Sequence, residues 1–266
     1  MPTRPQTVRL ERTGPVARLV LDRPDALNAL DLDTALQLVR ALIQLNADPA
    51  CTVIVIEAAG RAFCTGGDIS AIMGADRPDH YLRDLATTAG EAFRLLGESS
   101  AVVVCAIDGV TAGAGIAFAL AADIVVATPA ATFLSAYGDV GLIPDCGVTA
   151  TLPRIVGRRR ALDFVLSGRS VRAAEALEWQ LVTEVVPRAE LAARVAERVE
   201  ALAARPPLAA AAAKRLLTRE PSDLRERIEE ETETLLALLA TQRSRELLDA
   251  EHERQQRRRV RSGVAA

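Results

Sequence analysis

The first fifty residues carry two different rhythms of apolar and polar positions. Residues 7–12, TVRLER, and 16–22, VARLVLD, run with the two-residue period of strands, and Thr13-Gly14-Pro15 between them is a turn. Together they predict a β-hairpin. Beyond it, Asp31 stands before Leu32, Leu36, Val39, Leu42 and Ile43, which share one face of a helix with the aspartate as N-cap. Residues 52–57, TVIVIE, and 102–107, VVVCAI, are near-continuous β-branched runs of the kind found in strands covered on both faces. Each leads into a glycine-rich loop, AAGRAFCTGGD and DGVTAGAG. Strand, glycine loop and helix thus recur, and a weaker third copy comprises a strand at 124–127, the segment around Phe133 and a loop holding Asp145.

From about Pro187 the pattern becomes helical. Residues 191–204, 208–217 and 224–255 have helical periodicity, interrupted at Pro206-Pro207 and Pro221-Ser222. The last stretch is acidic early and basic late, the order that one continuous helix dipole favours, and its Arg-rich end is expected to fray. The organisation implied is an α/β core over residues 1–200 and a helical region over 201–266.

Composition narrows the possible chemistry. Half of the 266 residues are hydrophobic and a quarter charged, enough for a sizeable core. A net charge of −3 and a pI near 5.6 argue against nucleic-acid or anionic-membrane partners. Cys51, Cys64, Cys105 and Cys146 form no CxxC pair and read as reduced thiols, mostly in the core. His80 and His252 lie in polar helical contexts, so both are expected at the surface and no transition-metal site is expected. The N-terminus lacks an apolar leader segment. The longest apolar run, 109–122, is flanked by Asp108 and Asp123, too short for a membrane span and suited to a buried helix. A cytoplasmic protein without a dedicated cofactor is the expectation.

The glycine loops have two readings. TAGAG after a strand resembles a dinucleotide fingerprint, but Phe118 occupies the third glycine position and no acid lies about 20 residues beyond. No phosphate loop of the GxxxxGK[ST] type occurs. Backbone N–H groups in such loops can instead stabilise an oxygen that becomes negative during reaction. Two adjacent repeats could aim one N–H each at a single carbonyl. Taken singly, each loop is equally explained as a tight strand-to-helix turn. Asp145 adds an acid among Leu142, Ile143, Pro144 and Cys146, where desolvation would strengthen it as a base. It could also be an N-cap for a helix from about Val148 to Ile155. Asp139 is the second candidate acid, and Asp123 reads as structural.

Four stretches, DRPDALNAL (22–30), RAFCTGGDI (61–69), DGVTAGAGIAFALAADIV (108–125) and GLIPDCGVTATLPR (141–154), together resemble the crotonase family of enoyl-CoA hydratases and isomerases. The resemblance covers about Val8 to Pro187. Residues 108–167 are most similar to the branch of ring-epoxide isomerases that act on phenylacetyl-CoA epoxides. The resemblance implies a crotonase-like spiral of ββα repeats, a C-terminal helical region that forms trimers or dimers of trimers, and an acyl-CoA thioester substrate. It implies an oxyanion hole from the N–H groups of Gly67 and Ala114. It further implies that Ala26, Leu27, Thr65, Gly66, Asp68, Ile69, Gly113 and Tyr137 line the substrate site.

The same resemblance exposes departures. Where hydratases of the family carry their two glutamates, this chain has Ala117 and Tyr137, and no Glu occurs between Glu98 and Glu175. Hydration needs groups that hold a water and deliver a proton, whereas isomerisation through a thioester enolate needs only one base. Asp145 matches the acid that certain family isomerases use. The resulting expectation is an isomerase, with a hydratase or a non-catalytic acyl-CoA-binding subunit as the alternatives. The C-terminal segment 244–263 lacks the Phe and Lys with which family members often close over coenzyme A.

Overall fold

In the computed structural model, which describes residues 5–219 and 223–261, the alternating first segments form the hairpin that their pattern requires. β1 (Val8–Thr13) pairs antiparallel with β2 (Val16–Leu21). α1 (Leu32–Asn46) follows, and the Asp31 side chain accepts from the Thr34 N–H at its start. The buried face of α1 is shifted from the one expected, sharing Leu42 with it and keeping Val39 against the core. Ala35, Leu38, Leu42 and Leu45 are buried while Ile43 is 54% exposed. Two apolar stripes compete on this helix, and packing against the sheet and its neighbouring helix decides between them.

The repeats then build two sheets at once. β3 (Val53–Ala58) and β4 (Ala62–Cys64) come from the first copy, followed by α2 (Ile69–Met73) and α3 (Pro78–Gly97). β5 (Val102–Ile107), β6 (Val110–Ala112) and α4 (Ile116–Ala121) are the second copy. β7 (Ile124–Ala127), β8 (Thr132–Leu134), α5 (Val148–Val156) and α6 (Arg158–Ser167) are the third. β9 (Ser170–Arg172), α7 (Ala173–Glu178), β10 (Glu184–Val185) and α8 (Leu191–Ala203) complete the first unit. One sheet has the order β1-β2-β3-β5-β7-β10 and the other β4-β6-β8-β9, so each copy gives one strand to each sheet. β3, β5 and β7 pair in parallel. They are covered on one face by the main core and on the other by Val195 and Val199 of α8, which accounts for their unbroken apolar runs.

The apolar run 109–122, read from sequence as one buried helix, is divided. Val110–Ala112 is a strand, Gly113–Gly115 a 3-10 turn, and only the rest is α-helical. Pairing of β6 with β4 and β8 claims the first part. Periodicity cannot separate a short buried strand from a short buried helix.

The chain divides into two compact units between Arg205 and Pro206. The second unit holds α9 (Pro207–Thr218), α10 (Leu224–Leu239) and α11 (Gln242–Arg261). The single helix expected over 224–255 is therefore two. Thr241 ends the first and begins the second, its hydroxyl accepting from the Ser244 N–H, a capping bond that competes with continuation. The charge order along 224–255 consequently spans two dipoles. The Arg-rich end, expected to fray, is helical as far as Arg261. Among the described residues no helix is long and apolar enough to cross a membrane.

Candidate active site

The turn after β2 is held from inside. Asn28 is buried; its Oδ1 accepts from the Arg23 N–H at 2.8 Å, and its Nδ2 donates to the carbonyls of Ala59 and Ala62 at 2.8 and 2.9 Å. Leu27 and Asn28 both adopt left-handed backbone (φ 52° and 56°). Asparagine tolerates that conformation, whereas leucine is strained by about 1–2 kcal/mol. The Arg23 guanidinium reaches outward to Asp68 at 2.7 Å, the Ala29 carbonyl at 3.0 Å and Asp31 at 3.4 Å. Thr65 Oγ1 donates to the Leu27 carbonyl at 3.3 Å. The turn containing Ala26 and Leu27 is thereby fastened to the loop of residues 65–69.

That loop presents Gly67. The Leu30 N–H donates to the Gly66 carbonyl and the Asp68 N–H donates to the Leu30 carbonyl, a parallel bridge in which the intervening Gly67 turns its own N–H the other way. That N–H meets no acceptor among the described residues. Asp68 is the N-cap of α2, accepting from the Ala71 N–H at 3.0 Å. Burial works to raise the Asp68 carboxyl, but the Ala71 N–H and Arg23 outweigh it and hold the group below the usual carboxylate range. Its carboxylate is thus committed to the protein, while Ile69 beside it is 56% exposed. A Cβ built on Gly67 would meet only Leu85 Cδ2 at 3.8 Å and Ile72 Cδ1 at 3.9 Å, so the wall on that side is apolar. No role for Arg23, Asn28, Ile72 or Leu85 was legible in the sequence. Arg23 and Asn28 lie inside the first quoted motif, whereas Ile72 and Leu85 have no signature other than being apolar.

The second glycine loop lies backbone to backbone against the first. A Cβ on Gly66 would sit 3.2 Å from the Ala114 N and 3.2 Å from the Gly113 Cα. A Cβ on Gly115 would sit 2.4 Å from the Cys64 carbonyl oxygen. Only glycine permits this approach. The result is that Gly66, Gly113 and Ala114 meet, from loops far apart in sequence. Ala114 is the second residue of the 3-10 turn Gly113–Gly115, where an N–H has no acceptor inside the turn, and no hydrogen bond from it is seen among the described residues. These loops supply two unoccupied backbone donors.

The third loop carries the acid. Tyr137 is buried, and its hydroxyl donates to Asp145 Oδ1 at 2.7 Å. Burial first, and then the Asp145 charge, pushes the Tyr137 phenol far above its ordinary value, so it remains a donor. Burial and Asp145 likewise push up the Cys146 thiol, with a further contribution from Cys64 at the end of β4. Asp145 is not a side-chain cap. The N-cap of α5 is Gly147 without a side-chain bond, and Asp145 gives only its carbonyl to the Val148 N–H at 2.9 Å.

The expected apolar enclosure of Asp145 is only partly formed. Leu142 and Ile143 are 45% and 80% exposed, and the carboxylate is half-buried against Tyr137 and Cys146 instead. Asp139 is exposed, with its Oδ1 3.5 Å from where a Gly168 Cβ would stand. Asp123 is structural, its Oδ2 accepting from the Val103 N–H at 2.7 Å. Ala117, on buried α4, brings no polar group to the site.

A cavity of about 620 Å³ lies elsewhere, between α8 and the outer face of β1 to β3. None of the candidate residues lines it, and its charged side chains are paired with one another, Arg18 with Glu57 and Arg188 with Asp108. Among the described residues no group of His, Cys, Asp and Glu is arranged to hold a metal. Residues 244–261 form most of α11; the side chains of Gln256, Arg258, Arg259, Val260 and Arg261, and residues 262–266, lie outside the described residues.

Residues 11–258 match the enoyl-CoA hydratase/isomerase domain family. A 1,2-epoxyphenylacetyl-CoA isomerase of Escherichia coli (strain K12) is 36% identical over 198 residues, covering 72% of this chain and 74% of that protein. The structure of an enoyl-CoA hydratase from Bacillus anthracis superposes with a TM-score of 0.88 at 28% identity, covering 94% of this chain and 97% of the other. An enoyl-CoA hydratase-like protein of Thermobifida fusca YX, solved with acetoacetyl-CoA, gives a TM-score of 0.82 at 31% identity, covering 88% and 95%.

Proposed function

The chain belongs to the enoyl-CoA hydratase/isomerase family, and from that membership we propose that it is an acyl-CoA isomerase with one carboxylate base. It would shift a double bond, or open a ring epoxide, through a thioester enolate. The thioester oxygen lies between the N–H groups of Gly67 and Ala114, which stabilise the charge it gains when a proton leaves the adjacent carbon. Asp145 takes that proton and returns it to another carbon of the enolate. The substrate coenzyme occupies the turn of Ala26 and Leu27 and the loop Thr65–Ile69. No separate cofactor enters the reaction.

The observation that carries this reading is the Asp145 carboxylate itself. It is half-buried, bonded to Tyr137 and not used as a helix cap. The two positions where hydratases of the family hold glutamates are filled by a methyl group and by a phenol already engaged. An alanine cannot orient a water, and a protonated phenol is no base at neutral pH. The competing reading, an acyl-CoA-binding subunit without activity, would need both glycine loops and no acid.

The test supplies a 2-enoyl-CoA and a 3-enoyl-CoA at equal concentration and follows loss and gain of the conjugated thioester absorbance. Hydration is expected to be at least about 100-fold slower than double-bond migration, the usual value of one missing acid–base group. Hydration as fast as migration would reject the single-carboxylate mechanism. Binding without either reaction, across a panel of acyl-CoA thioesters, would favour the non-catalytic subunit.

We further propose a homotrimer or a dimer of trimers. In the second unit Leu217, Leu224, Leu235 and Leu236 are between 55% and 85% exposed, more apolar surface than a monomeric helical unit ordinarily leaves to water. Light scattering at micromolar concentration is expected to give a mass three or six times that of the chain. A monomer would refute the assembly.

A further inference from the structure

We propose that Tyr137 is the positioning residue of this site, fixing the Asp145 carboxylate through Oδ1 in the orientation from which it carries the substrate proton. The inference rests on Asp145 being the base. A lone carboxylate in a half-buried loop has two rotational freedoms that general-base catalysis cannot tolerate, swinging of the side chain and exchange of its two oxygens. A donor bound to one oxygen restrains both. Tyr137 meets that need, with its hydroxyl 2.7 Å from Oδ1.

The backbone is shaped to make this bond. Ala136, immediately before Tyr137, and Cys146, immediately after Asp145, both have left-handed backbone, φ 57° and 52°. Neither is a glycine, and such residues cost about 1–2 kcal/mol each in that conformation. Between them the Tyr137 carbonyl accepts from the N–H groups of Val140 and Leu142, at 3.2 and 3.0 Å, closing the loop at its base. The strain falls on the two residues that flank the hydroxyl–carboxylate pair, where surrounding structure must over-determine the chain. The phenol ring is buried while the carboxylate is half-exposed, so the restraint comes from the protein side and leaves the solvent side open to the acyl chain. Both Tyr137 and the neighbouring Cys146 thiol keep their protons. Neither can replace Asp145 as the base.

A double-mutant cycle separates positioning from direct contact with substrate. Tyr137→Phe in the wild-type background is expected to lower kcat about 10- to 100-fold with KM within about threefold, the pattern of a lost transition-state arrangement. Added to Asp145→Asn, the same change is expected to alter the residual rate less than about twofold, because the carboxylate it would position is gone. Tyr137→His, which offers a ring N–H donor, is expected to recover part of the loss and serves as the readout should Tyr137→Phe fold poorly. An equal loss in both backgrounds would show that Tyr137 acts on the substrate and overturn the inference. So would a loss below about threefold in the wild-type background. Near-normal turnover in Asp145→Asn alone would remove the base assignment itself, a result visible before the cycle is completed.

Discussion

Asp145→Asn is expected to lower isomerase turnover about 10²- to 10⁴-fold while acyl-CoA affinity stays within a few-fold. Asparagine keeps the size of the side chain and an oxygen to accept from Tyr137, but it cannot carry a proton between carbons. The groups assigned to the thioester lie on other loops. Gly67 is held by its bridge to Leu30, and Ala114 by the contact of its turn with Gly66. Neither depends on the loop of residues 136–147, so binding and chemistry separate in this variant. Steady-state kinetics with a 3-enoyl-CoA, together with titration of a non-reacting thioester, measure the two quantities. Turnover within about tenfold of wild type would eliminate Asp145 as the base. A parallel collapse of affinity would instead indicate that the loop had lost its shape, since Asp145 also gives its carbonyl to the Val148 N–H.

Gly115→Ala is expected to destabilise the protein by about 3 kcal/mol or more and to abolish turnover even in the fraction that folds. The added methyl would lie 2.4 Å from the Cys64 carbonyl oxygen and 3.0 Å from its carbonyl carbon, and backbone atoms of a fully buried strand cannot move aside as a flexible side chain would. The least costly relief separates β4 from the 3-10 turn after β6. That movement pulls Gly67 and Ala114 apart, and the two donors proposed to share one oxygen could then no longer do so. Denaturant unfolding and thioester titration test the two parts. Wild-type stability would mean that the loops approach less closely than this geometry requires. Gly90→Ala is a control of the same chemistry, because a Cβ there meets no atom within 4 Å. In the middle of α3 it is expected to be neutral or mildly stabilising.

Much of the fold was legible in the chain because its signals are local. The hairpin follows from two alternating segments and a Thr-Gly-Pro turn, and Asp31 caps α1 as its position before an apolar stripe requires. β5 and β7 occupy the expected residues, since unbroken β-branched runs have few other uses. Where two local signals compete, the pattern by itself cannot choose between them. α1 has two apolar stripes, and the one containing Ala35, Leu38 and Leu45 wins by contact with residues far along the chain. The run 109–122 suits a strand or a helix and becomes both, because β4 and β8 are present to pair with its first part. Thr241 is one polar residue in a long helical pattern, and its capping bond to Ser244 separates α10 from α11.

The site divides in the same way. Residue types and order along the chain determined that two glycine loops and one acid belong to neighbouring repeats, because glycine requirements and the rarity of carboxylates in apolar loops are properties of single residues. Only the tertiary structure decided what each group touches. It commits Asp68 to Arg23 and Ala71, joins Tyr137 to Asp145, passes the capping of α5 to Gly147 and places Leu142 and Ile143 in solvent. Hydrogen bonds and exposure are relations between segments separated by tens of residues, and the period of a sequence pattern carries no information about distances across that gap.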